Sequence, residues 1–154
     1  WINGAWVIRR SQVLDLIDAE CARIDGERDR RQALDFWFDF GETPAVLDDG
    51  SIVPAHDRAL QMGERNKRDW MAQQGRALVA VQASAADVVI LVRASDNANV
   101  LAPPAQFLET FEAGAERDQN LMIYAAQRKT LVRAQTSTAG IVATRQATDA
   151  GWPS

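Results

Sequence analysis

The segment Glu27–Gly41, ERDRRQALDFWFDFG, decides the fold class because its periodicity changes part-way along. Its first half is charged and continues a helical pattern from upstream. In its second half, Phe36, Phe38 and Phe40 recur at every other position. A repeat of two is typical of a β-strand, whereas a repeat near 3.6 is typical of an amphipathic helix. A helix followed directly by a strand predicts a mixed α+β protein.

The residues before this segment predict a long helix with a narrow apolar stripe. The a and d positions of a coiled coil are occupied by Leu14, Ile17, Cys21 and Ile24. A helix with two such heptads is marginal alone, so it must pack on copies of itself or on its own domain. Because a helix that lies on a globular core usually has a broader apolar face, the narrow stripe favours copies. We predict that these four residues form an oligomer interface, with a homotrimer favoured, and keep packing within the chain as the alternative.

The first ten residues carry a turn signal. Asn3 and Gly4 lie between bulky residues, a pattern that indicates a hairpin or turn. We therefore predict three parts, namely the end of an upstream β element at residues 1–10, a helical stem at 11–34 and an α+β head domain at 35–154. Because the sequence starts at Trp1, we also expect a longer polypeptide upstream.

The residues after the aromatic strand predict a small, mainly helical head with short antiparallel hairpins. Turn residues at Asp48–Gly50 and Ser95–Asn97 separate apolar, β-branched runs, as in β-hairpins. The predicted helices run from Asp57 to about Ser84, from Pro103 to Ala134, and from Thr136 or Ser137 to Gly151.

Composition and charge argue against several classes of function. The formal net charge of the 154 residues is −4, and neither half of the chain is positive, so we expect no binding to nucleic acid. The longest strongly apolar run, Val88–Val92, is too short to cross a bilayer, which predicts no membrane insertion. A single cysteine and a single histidine predict neither an internal disulfide nor a structural zinc site.

No motif in the sequence predicts catalysis, a cofactor or a metal. His56 is the one histidine, and no serine or cysteine signature surrounds it, so we interpret it as a polar residue at a helix start. The helical stem carries several carboxylates that solvation explains, namely Asp15, Asp18, Asp25 and Asp29. The sequence also lacks the glycine-rich loops of nucleotide-binding enzymes.

Tryptophan is abundant, with five residues in the chain. Most are predicted to serve in packing within the core or between subunits. Trp37 is different because Phe36 and Phe38 on either side of it are expected to face inward. Alternation along the strand then places Trp37 on the opposite face of the sheet, so we predict that it is an exposed contact residue.

Several segments together resemble an uncharacterised domain of unknown function that recurs in tail and tail-fibre-associated proteins of phages and prophages. The matching segments are Trp1–Val7, Glu27–Arg31, Phe36–Phe40, the Asp96–Asn97 turn, the long helix to Arg133, and Gly151–Pro153. They cover most of the chain, and residues 42–85 fit least well. None of them is a catalytic motif, so the resemblance implies no functional residue.

The resemblance implies a non-enzymatic structural component of a phage tail, made in the host cytoplasm and associated with a tail fibre or tail tip. Its expected partners are copies of itself, other tail proteins and a host surface molecule. A short coiled-coil stem leading into a small head is consistent with a fibre-like trimer. Two other functions are open, first a tail-fibre assembly chaperone and then a tail-associated glycan-degrading enzyme.

Overall fold

A computed structural model of the chain describes residues 2–153, and the side chains of residues 12–153. Within this range the helices are α1 (Ile2–Gln32), α2 (Glu64–Gln82), α3 (Pro104–Arg133) and α4 (Thr138–Ala150). The strands are β1 (Phe36–Asp39), β2 (Pro44–Val46), β3 (Ile52–Pro54), β4 (Asp57–Leu60), β5 (Ile90–Arg93) and β6 (Asn99–Ala102). This combination of four helices with short antiparallel strands in the described residues confirms the predicted α+β class with an N-terminal helix.

The chain divides into two compact units. The terminal unit contains the residues up to Arg31 and those from Arg117 onward, and the central unit is Gln32–Glu116. This grouping differs from the predicted stem and head, because α4 and the second half of α3 belong to the same unit as α1. The reason is that α1 buries its apolar stripe against those segments.

In the terminal unit, the stripe of α1 is covered by the chain itself. Ile17, Cys21 and Ile24 are buried in one core cluster with α3 and α4, whose buried members there are Ala125, Val132 and Ile141. The first three side chains therefore cannot form the predicted oligomer interface, and packing within the chain takes its place. The remaining predicted residue, Leu14, is 51% exposed. Homo-oligomerisation remains a prediction that needs another surface.

The β element predicted at residues 1–10 is wrong for residues 2–10, which belong to α1. Trp1 lies outside the described residues. An Asn-Gly pair makes a hairpin turn only where the flanking segments pair as strands, and the described residues offer these segments no such partner. Within a long helix, a glycine such as Gly4 costs only about 1 kcal/mol relative to alanine and is tolerated.

The central unit contains two antiparallel sheets with a common core. β1 pairs with β4, and the second sheet has the order β3-β2-β6-β5. The sheets meet where Leu60 forms a bridge with Ala94 and where the amide of Ser95 donates to the carbonyl of Ala59 at 2.8 Å. Inward-facing residues of both sheets, including Leu60 of β4 and Val100 of β6, pack with Phe107 of α3 in one core cluster.

The segment that begins at Asp57 is a strand rather than the predicted helix. Residues 57–60 form β4, and α2 starts only at Glu64. Strand pairing places Leu60 opposite Phe36 and buries Leu60 completely, and this tertiary contact outweighs the capping signal of Asp57. His56 is exposed and adopts a left-handed conformation (φ 48°) in the turn before β4, so it does not start a helix. The predicted hairpins and the two C-terminal helices are present.

Candidate functional site

Trp37 is the exposed aromatic residue that β1 presents to solvent. Its side chain is 67% exposed, whereas Phe36 and Phe38 pack against the core of the central unit. The ring centroid of Phe38 lies 4.9 Å from that of Phe40, in an edge-to-face arrangement. The aromatic alternation therefore anchors one face of the strand and holds the indole outward, as the sequence predicts.

The outer face of the β1–β4 pair combines the indole with acidic side chains. Opposite Trp37 lies Ala59, whose methyl group leaves the space beside the ring open. Two pairs further along, and therefore on the same face, Asp39 lies opposite Asp57. Like charges that face each other across strands destabilise a sheet, so folding alone does not favour this pair. Asp39 accepts a hydrogen bond from the amide of Gly41 at 2.8 Å, which partly compensates for the repulsion.

A shallow cleft of about 360 Å³ opens beside the indole. Its lining residues come from β1, β4 and the β5–β6 turn, and they are Trp37, Asp57, Arg58, Ala59, Ser95 and Asp96. The turn is held against β4 by the Ser95–Ala59 hydrogen bond described above. Asp96 accepts from the amide of Ala98 at 3.2 Å, and Asn97 takes a left-handed conformation (φ 67°), as side-chain-capped turns do.

Both hydrogen-bond donors and acceptors line this cleft. The Arg58 guanidinium forms an ion pair with Asp96 and donates from Nε to the carbonyl of Ala55 at 2.9 Å. Asp57 is exposed and adds a carboxylate that only accepts. The hydroxyl oxygen of Ser95 is buried and has no hydrogen-bond partner among the described residues. Asp57 and Asp96 outnumber Arg58, so the lining has a net negative charge.

The other residues considered for chemistry lie elsewhere. In the turn before β4, His56 donates its amide to the Gly41 carbonyl at 2.8 Å, and its carbonyl accepts from the Phe40 amide at 3.0 Å. Its role there is to connect two turns. Within the described residues, no group of three or more histidine, cysteine or acidic side chains is placed to hold a metal ion. Cys21 is a buried free thiol.

A buried ion cluster in the terminal unit escaped sequence analysis. Glu20 is fully buried in α1, and its carboxylate accepts from Arg23 at 2.7 Å and from Arg145 of α4 at 2.6 Å. Burial alone would raise the pKa of Glu20, but the hydrogen bonds from the two guanidinium groups outweigh it and lower that pKa. The sequence signal that could have predicted a buried carboxylate is the position of Glu20 next to Cys21, at the border of the apolar stripe. The cluster joins α1 to α4 and has a structural role.

Asp25, which we interpreted as a solvated carboxylate, is also an ion-pair partner. It accepts from Lys129 of α3 at 2.6 Å and from Arg28 at 2.8 Å. The hydrogen bond from Lys129 holds the pKa of Asp25 below its usual value. These contacts lie within the terminal unit and join α1 to α3.

No protein-family model, curated protein or solved structure matches the chain. Among the described residues, every helix is too short or too polar to span a bilayer.

Proposed function

We propose that this chain is a non-enzymatic structural component of a phage or phage-like tail, associated with a tail fibre or tail tip, and that it contacts another molecule through the cleft beside Trp37. The observation that supports a contact function is the 67% exposure of the indole at the edge of a cleft. Tryptophan is among the residues that contribute most to binding when a partner covers them. The resemblance of the segments supports the assignment to a tail.

The way in which the strand holds Trp37 also favours binding. Cross-strand pairing of β1 with β4 fixes the backbone on both sides of the residue. Because its neighbours Phe36 and Phe38 are packed against the core, the backbone from which the indole projects is fixed before any partner arrives. Preorganised groups lose less conformational entropy on binding than mobile ones do. In this proposal the cleft contacts a host surface molecule, and other surfaces contact tail proteins.

The composition of purified virions tests this proposal. We expect quantitative mass spectrometry to find the protein in a constant, whole-number ratio to the other tail proteins, with the major capsid protein as the internal standard. Labelling with an antibody should then place it on the fibre or at the tip in electron micrographs. Detection in the lysate but not in washed particles would contradict a structural role.

A tail-fibre assembly chaperone is the second candidate, and a different observation favours it. α2 exposes the apolar side chains of Met71 (64%), Leu78 (45%) and Val79 (66%). Exposed apolar groups on one helix are suited to a transient contact with an unassembled fibre. In that case, the protein should co-purify with the fibre protein before assembly and be missing from mature particles.

A further inference from the structure

We propose that the cleft beside Trp37 binds a neutral hexopyranose unit of a surface glycan. This inference rests on the proposed contact function and names the chemical class of the ligand. Three features of the cleft support it. They are an exposed aromatic face, a lining that both donates and accepts hydrogen bonds, and a net negative charge, which disfavours acidic sugars.

The indole of Trp37 provides a stacking surface. One face of a pyranose ring presents C–H groups, which carry a partial positive charge, and the face of an aromatic ring is negative. A sugar can therefore lie flat on the indole, provided that nothing bulky stands beside it. Ala59, directly across the strand pair, meets this requirement.

The polar groups at the edge of the indole match the hydroxyls of a sugar. A hydroxyl both donates and accepts, so it needs partners of both kinds. Asp57 accepts, Asp96 keeps lone pairs beyond its ion pair with Arg58, and the Arg58 guanidinium keeps N–H groups beyond its bonds to Asp96 and to the Ala55 carbonyl. The unpartnered hydroxyl of Ser95 lies in the same lining and can do either after rotation of its side chain. Hydrogen bonds that involve such charged groups are stronger than those between neutral groups.

The cleft has two ionic alternatives to a neutral sugar, an acidic sugar and a cationic side chain. The two carboxylates of Asp57 and Asp96 outweigh the single guanidinium of Arg58, so the lining repels the negative charge of an acidic sugar. A cationic side chain of a protein partner would also bind to an aromatic ring beside carboxylates. That interpretation is weaker here because the Arg58 guanidinium lines the same cleft and would repel a second cation. The cleft volume of about 360 Å³ lies near the lower limit for small-molecule sites, roughly 300–1,000 Å³, which suits one or two sugar units.

The experiment is a binding assay by NMR with the purified protein. The probes are the methyl glycosides of glucose, galactose, mannose and N-acetylglucosamine, each tested at millimolar concentration by saturation transfer and by the shift of the Trp37 indole N–H. We expect saturation transfer to at least one glycoside. Binding to Trp37→Ala should be weaker by about tenfold or more, the scale of an aromatic contact residue.

Two further variants separate stacking from a general effect on the fold. Ile52→Ala is the matched control, because Ile52 is 68% exposed on another strand of the central unit and lies outside the cleft. It should bind like the wild type. Asp57→Asn removes the charged acceptor but keeps the shape, and it should weaken glycoside binding without lowering the unfolding temperature, because it also removes the repulsion from Asp39.

Three outcomes would overturn the inference. They are no transfer to any of the four glycosides, equal binding by Trp37→Ala, and tighter binding of N-acetylneuraminic acid than of the neutral glycosides. A lysine-rich peptide that shifts the Trp37 signal while no glycoside does would overturn the saccharide assignment and leave the contact function standing. Absence of the protein from virions would instead overturn the tail assignment, whatever the cleft binds.

Discussion

Replacing Glu20 by glutamine tests whether the buried ion cluster stabilises the terminal unit. The carboxylate accepts from Nε and Nη2 of Arg23 at 3.0 and 2.7 Å, and from Nε and Nη2 of Arg145 at 2.8 and 2.6 Å. Glutamine keeps one acceptor oxygen, but its NH2 group would face guanidinium groups that can only donate. The variant therefore loses about half of these hydrogen bonds and removes the negative charge that both guanidinium groups face, although Arg23 keeps its ion pair with Asp149 at 2.8 Å.

The size of the effect follows from the exposure of the partners. Removing one member of a fully buried ion pair costs about 3–5 kcal/mol. The side chains of Arg23 and Arg145 are 32% and 50% exposed and can be rehydrated, so we expect a smaller loss, about 2 kcal/mol. For a chain of this length, that loss lowers the unfolding temperature by about 4–8 °C. Circular dichroism at pH 7 measures it.

Glu27→Gln is the matched control because it makes the same change in the same helix. Glu27 also accepts from two arginines, Arg30 and Arg31, both at 2.7 Å, but all three lie within α1, and the side chain of Glu27 is 22% exposed rather than buried. Ion pairs of this kind contribute little to stability. We expect a decrease in unfolding temperature less than half that of Glu20→Gln. Equal decreases for the two variants would refute the argument that burial and the link to α4 make Glu20 important.

Three further predictions concern the fold. Ile17→Asp places a charge in the core of the terminal unit and should lower the free energy of unfolding by more than about 3 kcal/mol. Light scattering should show the same molecular mass as for the wild type, and a well-folded variant that falls from multimer to monomer would contradict packing of Ile17 within the chain. The pKa of Glu20 is lowered from its ordinary 4.5, so its stabilising contribution is full above pH 4.5 and is lost as the pH falls through the lower pKa of the folded state. In acid titrations of stability, the wild type should therefore lose stability more steeply than Glu20→Gln. Gly50→Ala, at φ 81° in the β2–β3 turn, should lower the free energy of unfolding by about 1 kcal/mol, whereas Gly75→Ala, at an exposed position within α2, should raise it by a similar amount. Urea titrations measure both changes, and changes of the same sign would contradict the left-handed turn at Gly50 or the helix at Gly75.

The parts of the fold that sequence predicted well are those fixed by local patterns. The aromatic alternation of β1, the turn residues at Asp48–Gly50 and the turn at Ser95–Asn97 each determine a strand or hairpin within a few residues. The long helix α3 likewise follows from its own periodicity. The exposure of Trp37 could be predicted for the same reason, since alternation along one strand is enough to place it.

The features that sequence missed depend on contacts between distant segments. β4 exists because it pairs with β1, and no signal within residues 57–60 specifies that partner. The cleft forms only when Asp96 meets Arg58, which lies 38 positions earlier. The charge cluster at Glu20 requires Arg145, which lies 125 positions later. Periodicity predicted the stripe on α1 but not that the end of the chain would cover it.

The division of the chain has a consequence for folding during synthesis. The central unit is one continuous segment, so all of its residues have left the ribosome once Glu116 emerges, and it can fold as a unit while synthesis continues. The core of the terminal unit includes Ile141, so it cannot close until α4 is made. Until then, Ile17, Cys21 and Ile24 lack the part of their cover that Ile141 supplies, and the carboxylate of Glu20 lacks Arg145. A nascent or prematurely terminated chain would therefore expose an aggregation-prone apolar helix to chaperones. In the complete protein this apolar stripe is buried.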